Sequence, residues 1–147
     1  MIYEEHYLKC LKYKKTKKEI NTLENKKISL MSMVDLQAVP PKEVIGTNTK
    51  EDKMLKYVEE LEETEISIEK NKKIEEEIKI QLKEKEKDLR KSKELLDKVY
   101  LYKYLEHLNY YQVAIKINYG KTKTYDLINE IAENLEKIKI AEKNGKL

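Results

Sequence analysis

Between Lys50 and Lys98 the chain runs forty-nine residues without a glycine or proline, and its apolar residues keep a nearly heptad step: Met54, Tyr57, Leu61, Ile68, Ile74, Ile78, Leu82, Leu89 and Leu96. As a single helix this segment would extend about 70 Å at 1.5 Å per residue, which is too long to fold away inside a small globule. It must pack against another helix of the chain or against a second copy. Leu61, Ile68, Ile74, Ile78, Leu82, Leu89 and Leu96 are the expected coiled-coil contact and dimer seam. Asn71, Lys85 and Ser92 fall within that stripe. Polar residues there weaken a coiled coil but help to fix its register and partner number.

A second amphipathic helix is predicted over 1–36, where Tyr3, Tyr7, Cys10, Tyr13, Ile20, Leu23, Met31 and Val34 recur at three- and four-residue steps. Pro40-Pro41 bars its continuation, Gly46 permits a turn, and Asn48 or Thr49 offers an N-cap ahead of Glu51 and Asp52. Residues 37–49 therefore read as a linker and 50–98 as the long coiled-coil helix. With 40% charged residues, no Trp or Phe, three Gly and two Pro, the 147-residue chain has the composition of extended helices rather than sheets.

A net charge of +3 makes the chain no polycation, so contact with an anionic partner must come from local patches. No run approaches the roughly 20 apolar residues of a membrane span, and no apolar leader follows Glu4 and Glu5, so a cytoplasmic protein is expected. The single Cys10 excludes an internal disulfide and suits a buried position on an apolar helix face. His6 and His107 have no second ligand at a helical step, the glutamates lie on charged faces, and Gly46, Gly120 and Gly145 form no phosphate loop. A catalytic centre, metal and cofactor are accordingly not expected. The densest basic run, Lys12, Lys14, Lys15, Lys17 and Lys18, reads as a solvated face or as an auxiliary phosphate contact.

Composition changes near Val99, after which seven of the eleven tyrosines fall by Tyr125. A small three-helix domain is predicted over 99–141, followed by a tail at 142–147. Leu95, Val99, Tyr102 and Leu105 fit the face of a first helix. Asn109 can cap a second helix that buries Val113, Ala114 and Ile117, where the small Ala114 lets the next helix cross closely. Asn118-Tyr119-Gly120 supplies a tight turn, since Asn and Gly tolerate left-handed backbone. A third helix from Lys121 would bury Leu127, Ile128, Ile131 and Leu135. Its first turns would present Lys121, Thr122, Lys123, Tyr125, Asp126 and Asn129, with Lys116 nearby, to a DNA major groove. No carboxylate lies between Lys116 and Lys123. Asp126 repels phosphate but can accept a bond from a cytosine amine.

The segment Lys103-Tyr-Leu-Glu-His-Leu-Asn-Tyr-Tyr-Gln-Val-Ala114, with Ile117-Asn-Tyr-Gly-Lys-Thr-Lys-Thr-Tyr125, resembles the region-four helix-turn-helix of sigma factors. It is most similar to phage regulators of the RinA and ArpU type. Their architecture of coiled coil, linker and C-terminal motif matches the order of segments here. The sequence departs from that pattern at His107 and Asn118, where the family has Gly, at Gly120 for a capping Ser, at Thr124 for a buried Val, and at Asp126 for a basic residue. The resemblance implies an all-α fold, a long helical hairpin or coiled coil followed by a helix-turn-helix domain. It implies a sequence-specific, non-enzymatic regulator of phage late genes that binds double-stranded DNA as a homodimer and acts with host RNA polymerase. Two other expectations share the architecture: a DNA-packaging adaptor similar to a terminase small subunit, and a phage inhibitor that binds a host or defence protein.

Overall fold

The computed structural model describes residues 1–38 and 49–145, and these are helical with no strand among them. Most of the expected linker, including Pro40, Pro41, Gly46 and Asn48, lies outside the described residues, as do the last two residues of the tail. The elements are α1 (Ile2–Ala38), α2 (Thr49–Lys91), α3 (Leu95–Tyr100), which runs into a π-helical turn (Leu101–Leu105), α4 (Tyr110–Ile117) and α5 (Lys121–Lys143). No described helix is long and apolar enough to cross a membrane.

These elements form two compact units, Met1–Tyr13 with Ile78–Leu147, and Lys14–Glu77. The first therefore begins well before the expected boundary at Val99 and recruits the start of the chain. The reason is the size of its core. Val99, Tyr100, Val113, Leu127, Ile131 and Leu135 come from α3, α4 and α5, and the cluster is completed by Tyr3 and Leu89. Tyr3 is wholly buried: its amide donates to Asp97 Oδ1 at 3.0 Å and its hydroxyl accepts from Asn134 Nδ2 at 2.8 Å. Asp97, itself wholly buried, thus satisfies one of the orphan N–H groups at the positive end of α1. Within this unit the start of α1 and the end of α2 run antiparallel, with Lys9 Nζ donating to Gln81 Oε1 at 2.9 Å and Lys85 paired with Glu5.

The expected single helix to Lys98 is broken at Ser92, so α2 stops at Lys91 and Leu96 belongs to α3. Ser92 Oγ donates to Asp97 Oδ2 at 2.7 Å and accepts from the Glu94 amide at 3.2 Å. A serine hydroxyl that bonds local backbone competes with the helical ladder, and here a buried carboxylate holds it. The π-turn is closed by the Glu106 amide on the Leu101 carbonyl at 2.9 Å. His107 then adopts φ 54°, and the Leu108 amide reaches the Tyr102 carbonyl at 3.0 Å. A left-handed residue just past a helix end lets the chain reverse while covering carbonyls that would otherwise go unpaired.

In Lys14–Glu77, the α1 and α2 segments also run antiparallel, as the pairs Lys72–Glu24 at 3.6 Å and Lys27–Glu65 at 3.5 Å require. Ile20, Leu30 and Ile68 are buried here, together with Thr16 and Thr64. Thr64 returns its hydroxyl proton to the Glu60 carbonyl at 2.7 Å, and Asn71 bonds the Ser67 carbonyl at 2.9 Å. Both polar side chains are thereby satisfied within their own helix, which lets them occupy the packed stripe.

Candidate nucleic-acid interface

Both ends of α4 are set by side-chain chemistry readable in the sequence. Asn109 Oδ1 accepts from the Gln112 amide and Gln112 Oε1 accepts from the Asn109 amide, each at 2.9 Å, forming a reciprocal capping box. Asn118 ends the helix at φ 60°, ψ 44°, and the Tyr119 amide caps the Ala114 carbonyl at 3.2 Å. Only Asn118 takes the left-handed conformation expected of this turn, because Gly120, at φ −70°, is instead the extended residue that precedes α5. Gly120 has no side chain with which to cap. Thr124, wholly buried, donates its hydroxyl to the Gly120 carbonyl at 2.9 Å, which satisfies its own polar atom but leaves the first amides of α5 without a side-chain cap.

Every residue expected to contact DNA is exposed: Lys116 on α4 and Lys121, Thr122, Lys123, Tyr125, Asp126 and Asn129 on α5. Thr122, Asp126 and Asn129 stand about one turn apart on the side of α5 away from Leu127, Ile131 and Leu135, which are buried. From His107 to Tyr125 there are nineteen residues without a single carboxylate, in a chain that carries 28 of them. The stretch brings exposed cations and amides together, and Asp126, directly after it on the outer side of α5, is the anion that opposes an approaching phosphate. The uncapped N-terminus of α5, twenty-three residues long, adds orphan N–H groups and a positive dipole end at the same place.

Two residues that sequence reasoning passed over hold this surface in shape. The Tyr110 hydroxyl donates to the Lys121 carbonyl at 2.9 Å, and its ring meets Tyr111 and Tyr125 edge-on at 5.6 and 5.7 Å. Tyr111 in turn lies beneath the Lys121 ammonium, 4.3 Å from ring centre to Nζ, so the cation is held by the ring face. The signal was the Tyr-Tyr pair directly after the capping Asn109. Beside it lies a shallow open groove of about 570 Å³, lined by Tyr111, Ile115, Asn118, Tyr119, Gly120 and Lys121. Ile115 is 79% exposed there.

The expected dimer seam runs along α2 from Leu61 to Leu89, and Leu96 lies past the break on α3. Leu61, Ile68 and Ile74 belong to one unit and Ile78, Leu82, Leu89 and Leu96 to the other. Ile68, Ile78 and Leu89 are buried within the single chain, whereas Leu61, Leu82 and Leu96 are half-buried. Ile74 is 45% exposed. Six residues after Ile68 is about 120° off the stripe at 100° per residue, and Asn71 and Glu75 take the half-buried positions instead.

His6 and Cys10 have no part in this surface. His6 is buried, with Nδ1 2.8 Å from the Tyr100 hydroxyl and 3.7 Å from Cys10 Sγ. Burial lowers the His6 pKa from its ordinary value, partly offset by the charge of Glu86, and burial likewise raises that of Tyr100. Desolvation disfavours the charged form of each, which keeps this pair neutral and structural. The chain matches no family model, and no curated protein or solved structure proves similar to it.

Proposed function

We propose that this chain is a sequence-specific DNA-binding regulator of the phage type, in which α4 and α5 form a helix-turn-helix and the first turns of α5 read a major groove. In this reading α1 and α2 form a long helical hairpin that carries the reading domain, the protein is not an enzyme, and two copies engage two half-sites beside host RNA polymerase. The observation that carries it is the carboxylate-free stretch from His107 to Tyr125, whose Lys116, Lys121 and Lys123 are exposed around the open N-terminus of α5, with Asp126 as the one acidic group among the proposed contacts. The backbone supports the resemblance as well. His107 and Asn118, which stand where the sigma-like pattern has glycine, are the non-glycine residues with positive φ among the described residues.

The exposed Ile115 and Tyr119 favour a second reading, in which the same fold docks a host or defence protein, because phosphate gains nothing from an apolar flank. Selection of duplexes from a randomised pool at low salt separates the two. The DNA reading expects one enriched site whose binding falls at least about tenfold on Lys121→Glu or Lys123→Glu. Lys121→Gln should reduce the salt slope by about one. A best site bound equally by both charge-reversal variants would sink the assignment of the recognition helix.

A further inference from the structure

The exposed side of α1 changes character along its length. From Lys12 to Glu19 all six exposed residues are charged: Lys12, Lys14, Lys15, Lys17, Lys18 and Glu19. From Asn21 to Leu36 only two of eleven are, Lys26 and Asp35, and their charges cancel. The α2 segment in the same compact unit has no such face, since thirteen of its sixteen exposed residues from Asp52 to Glu77 are charged. Across the neutral stretch Ile28 is 63% and Leu36 72% exposed, with Met31 at 48% and Met33 at 45% on its flanks. Ser29 and Ser32 lie between them. Helices in water carry charged or polar residues on their open side, and contiguous apolar residues there mark an interaction surface.

We propose that a second copy of this chain docks on this face, so that the homodimer forms through α1 between Asn21 and Leu36 rather than through the apolar stripe of α2. The stripe is already spent, because Ile68, Ile78 and Leu89 are buried in the single chain. A neutral face is self-compatible: two copies related by a twofold axis present the same patch to each other, and only a patch without net charge does so without repulsion. The serines give little bulk between Ile28 and Leu36, which allows the two helices to approach closely. Sixteen residues of helix, about 24 Å long, present roughly 500 Å² per copy. The pair buries about 1,000 Å², about the least that a specific interface needs, so a reversible monomer–dimer equilibrium is expected rather than an obligate dimer.

The inference locates the dimer of the proposed function, but its test uses no DNA, so its failure leaves the DNA reading standing. Sedimentation equilibrium of the full chain should show a monomer–dimer equilibrium that Ile28→Lys and Leu36→Lys each weaken at least tenfold, with helicity by circular dichroism unchanged. Ile66→Lys, at a 55% exposed isoleucine on α2, should leave it as it was. Ile28→Gln and Leu36→Gln, which keep helix propensity, supply the same readout should a lysine disturb the helix. A monomer at every concentration up to the millimolar range, a larger ring, or a dimer indifferent to both α1 positions would overturn the proposal.

Discussion

In the unit formed by Met1–Tyr13 and Ile78–Leu147, Tyr3, Leu89, Val99, Val113, Ile131, Thr124 and Asp97 are all but completely buried. In Lys14–Glu77 no described side chain reaches that depth, and the best buried are Thr64 at 3%, Ile20 at 5%, and Leu30 and Ile68 at 7%. Both units draw on α1 and α2, so helix propensity does not separate them. The difference is geometric. A pair of helices covers each side chain from one direction and leaves its flanks wet, whereas α3, α4 and α5 close around Ile131 and Val113 from several sides. A core of that kind can hold an exposed surface in fixed geometry more firmly than a two-helix seam can.

The largest expected effect tests this contrast directly. Ile131→Ala should cost about 3–4 kcal/mol, since a wholly buried side chain leaves a cavity that cannot collapse, while Ile68→Ala should fall near 2 kcal/mol because its neighbours can close in. Chemical denaturation gives the totals, and amide exchange assigns each loss to its unit. Equal costs would mean that the two units are packed alike.

Asp97 comes next. It is a buried carboxylate that joins the first turn of α1 to Ser92 at the end of α2, through bonds of 3.0 and 2.7 Å. Asp97→Ala strands the Tyr3 amide and the Ser92 hydroxyl and should cost about 2–3 kcal/mol. Asp97→Asn, which can still accept from the amide, should cost less. If Asp97→Ala left exchange of the first turn of α1 unchanged, the N-terminus would be held by Tyr3 packing alone.

How much of this was legible follows the range of the interactions. The Asn109 cap, the Asn118 turn and the buried face of α5 depend on residues within a few positions of each other, and the sequence reading placed them, although the reciprocal bond from Gln112 went unread. The break at Ser92 does not announce itself, because serine in a run of lysines and glutamates stops a helix only when Asp97 is folded back onto it. The contribution of Tyr3 and His6 was equally hidden. Their partners Asp97 and Tyr100 lie 94 residues away, and an amphipathic first helix is compatible with many docking sites. Ile74 was a misreading of another kind, since the six-residue step from Ile68 already carries it off the stripe.

A smaller effect separates the units by pH. The pKa of His6 is lowered by burial from the ordinary 6.5. Above 6.5 the ring is neutral both folded and unfolded, and nothing is gained or lost. As pH falls below that value the unfolded chain takes up a proton that the folded one refuses, so stability drops until the lowered folded pKa is reached. Denaturation at pH 7.5 and 5.5 should therefore show a loss, smaller than for either substitution above, that His6→Gln reduces. Exchange should place it in the first unit and leave Lys14–Glu77 unchanged.

The smallest expected change works in the opposite direction and bears on why the tightly packed unit tolerates imperfect turns. His107 is exposed at φ 54°, where a side chain with Cβ pays about 1–2 kcal/mol relative to glycine. His107→Gly relieves that strain but loosens the unfolded chain by about 0.4–1 kcal/mol, leaving a net stabilisation of about 0.5–1 kcal/mol. Asn118→Gly should gain less, because Asn tolerates the left-handed region with its short polar side chain. Gly120→Ser should add a few tenths of a kcal/mol, since its Cβ meets nothing within 4 Å and the hydroxyl could take up an orphan amide of α5. Thermal midpoints of the three variants should rise in the order Asn118→Gly, Gly120→Ser, His107→Gly. A fall for His107→Gly would mean that the histidine ring makes a contact worth more than the strain it imposes.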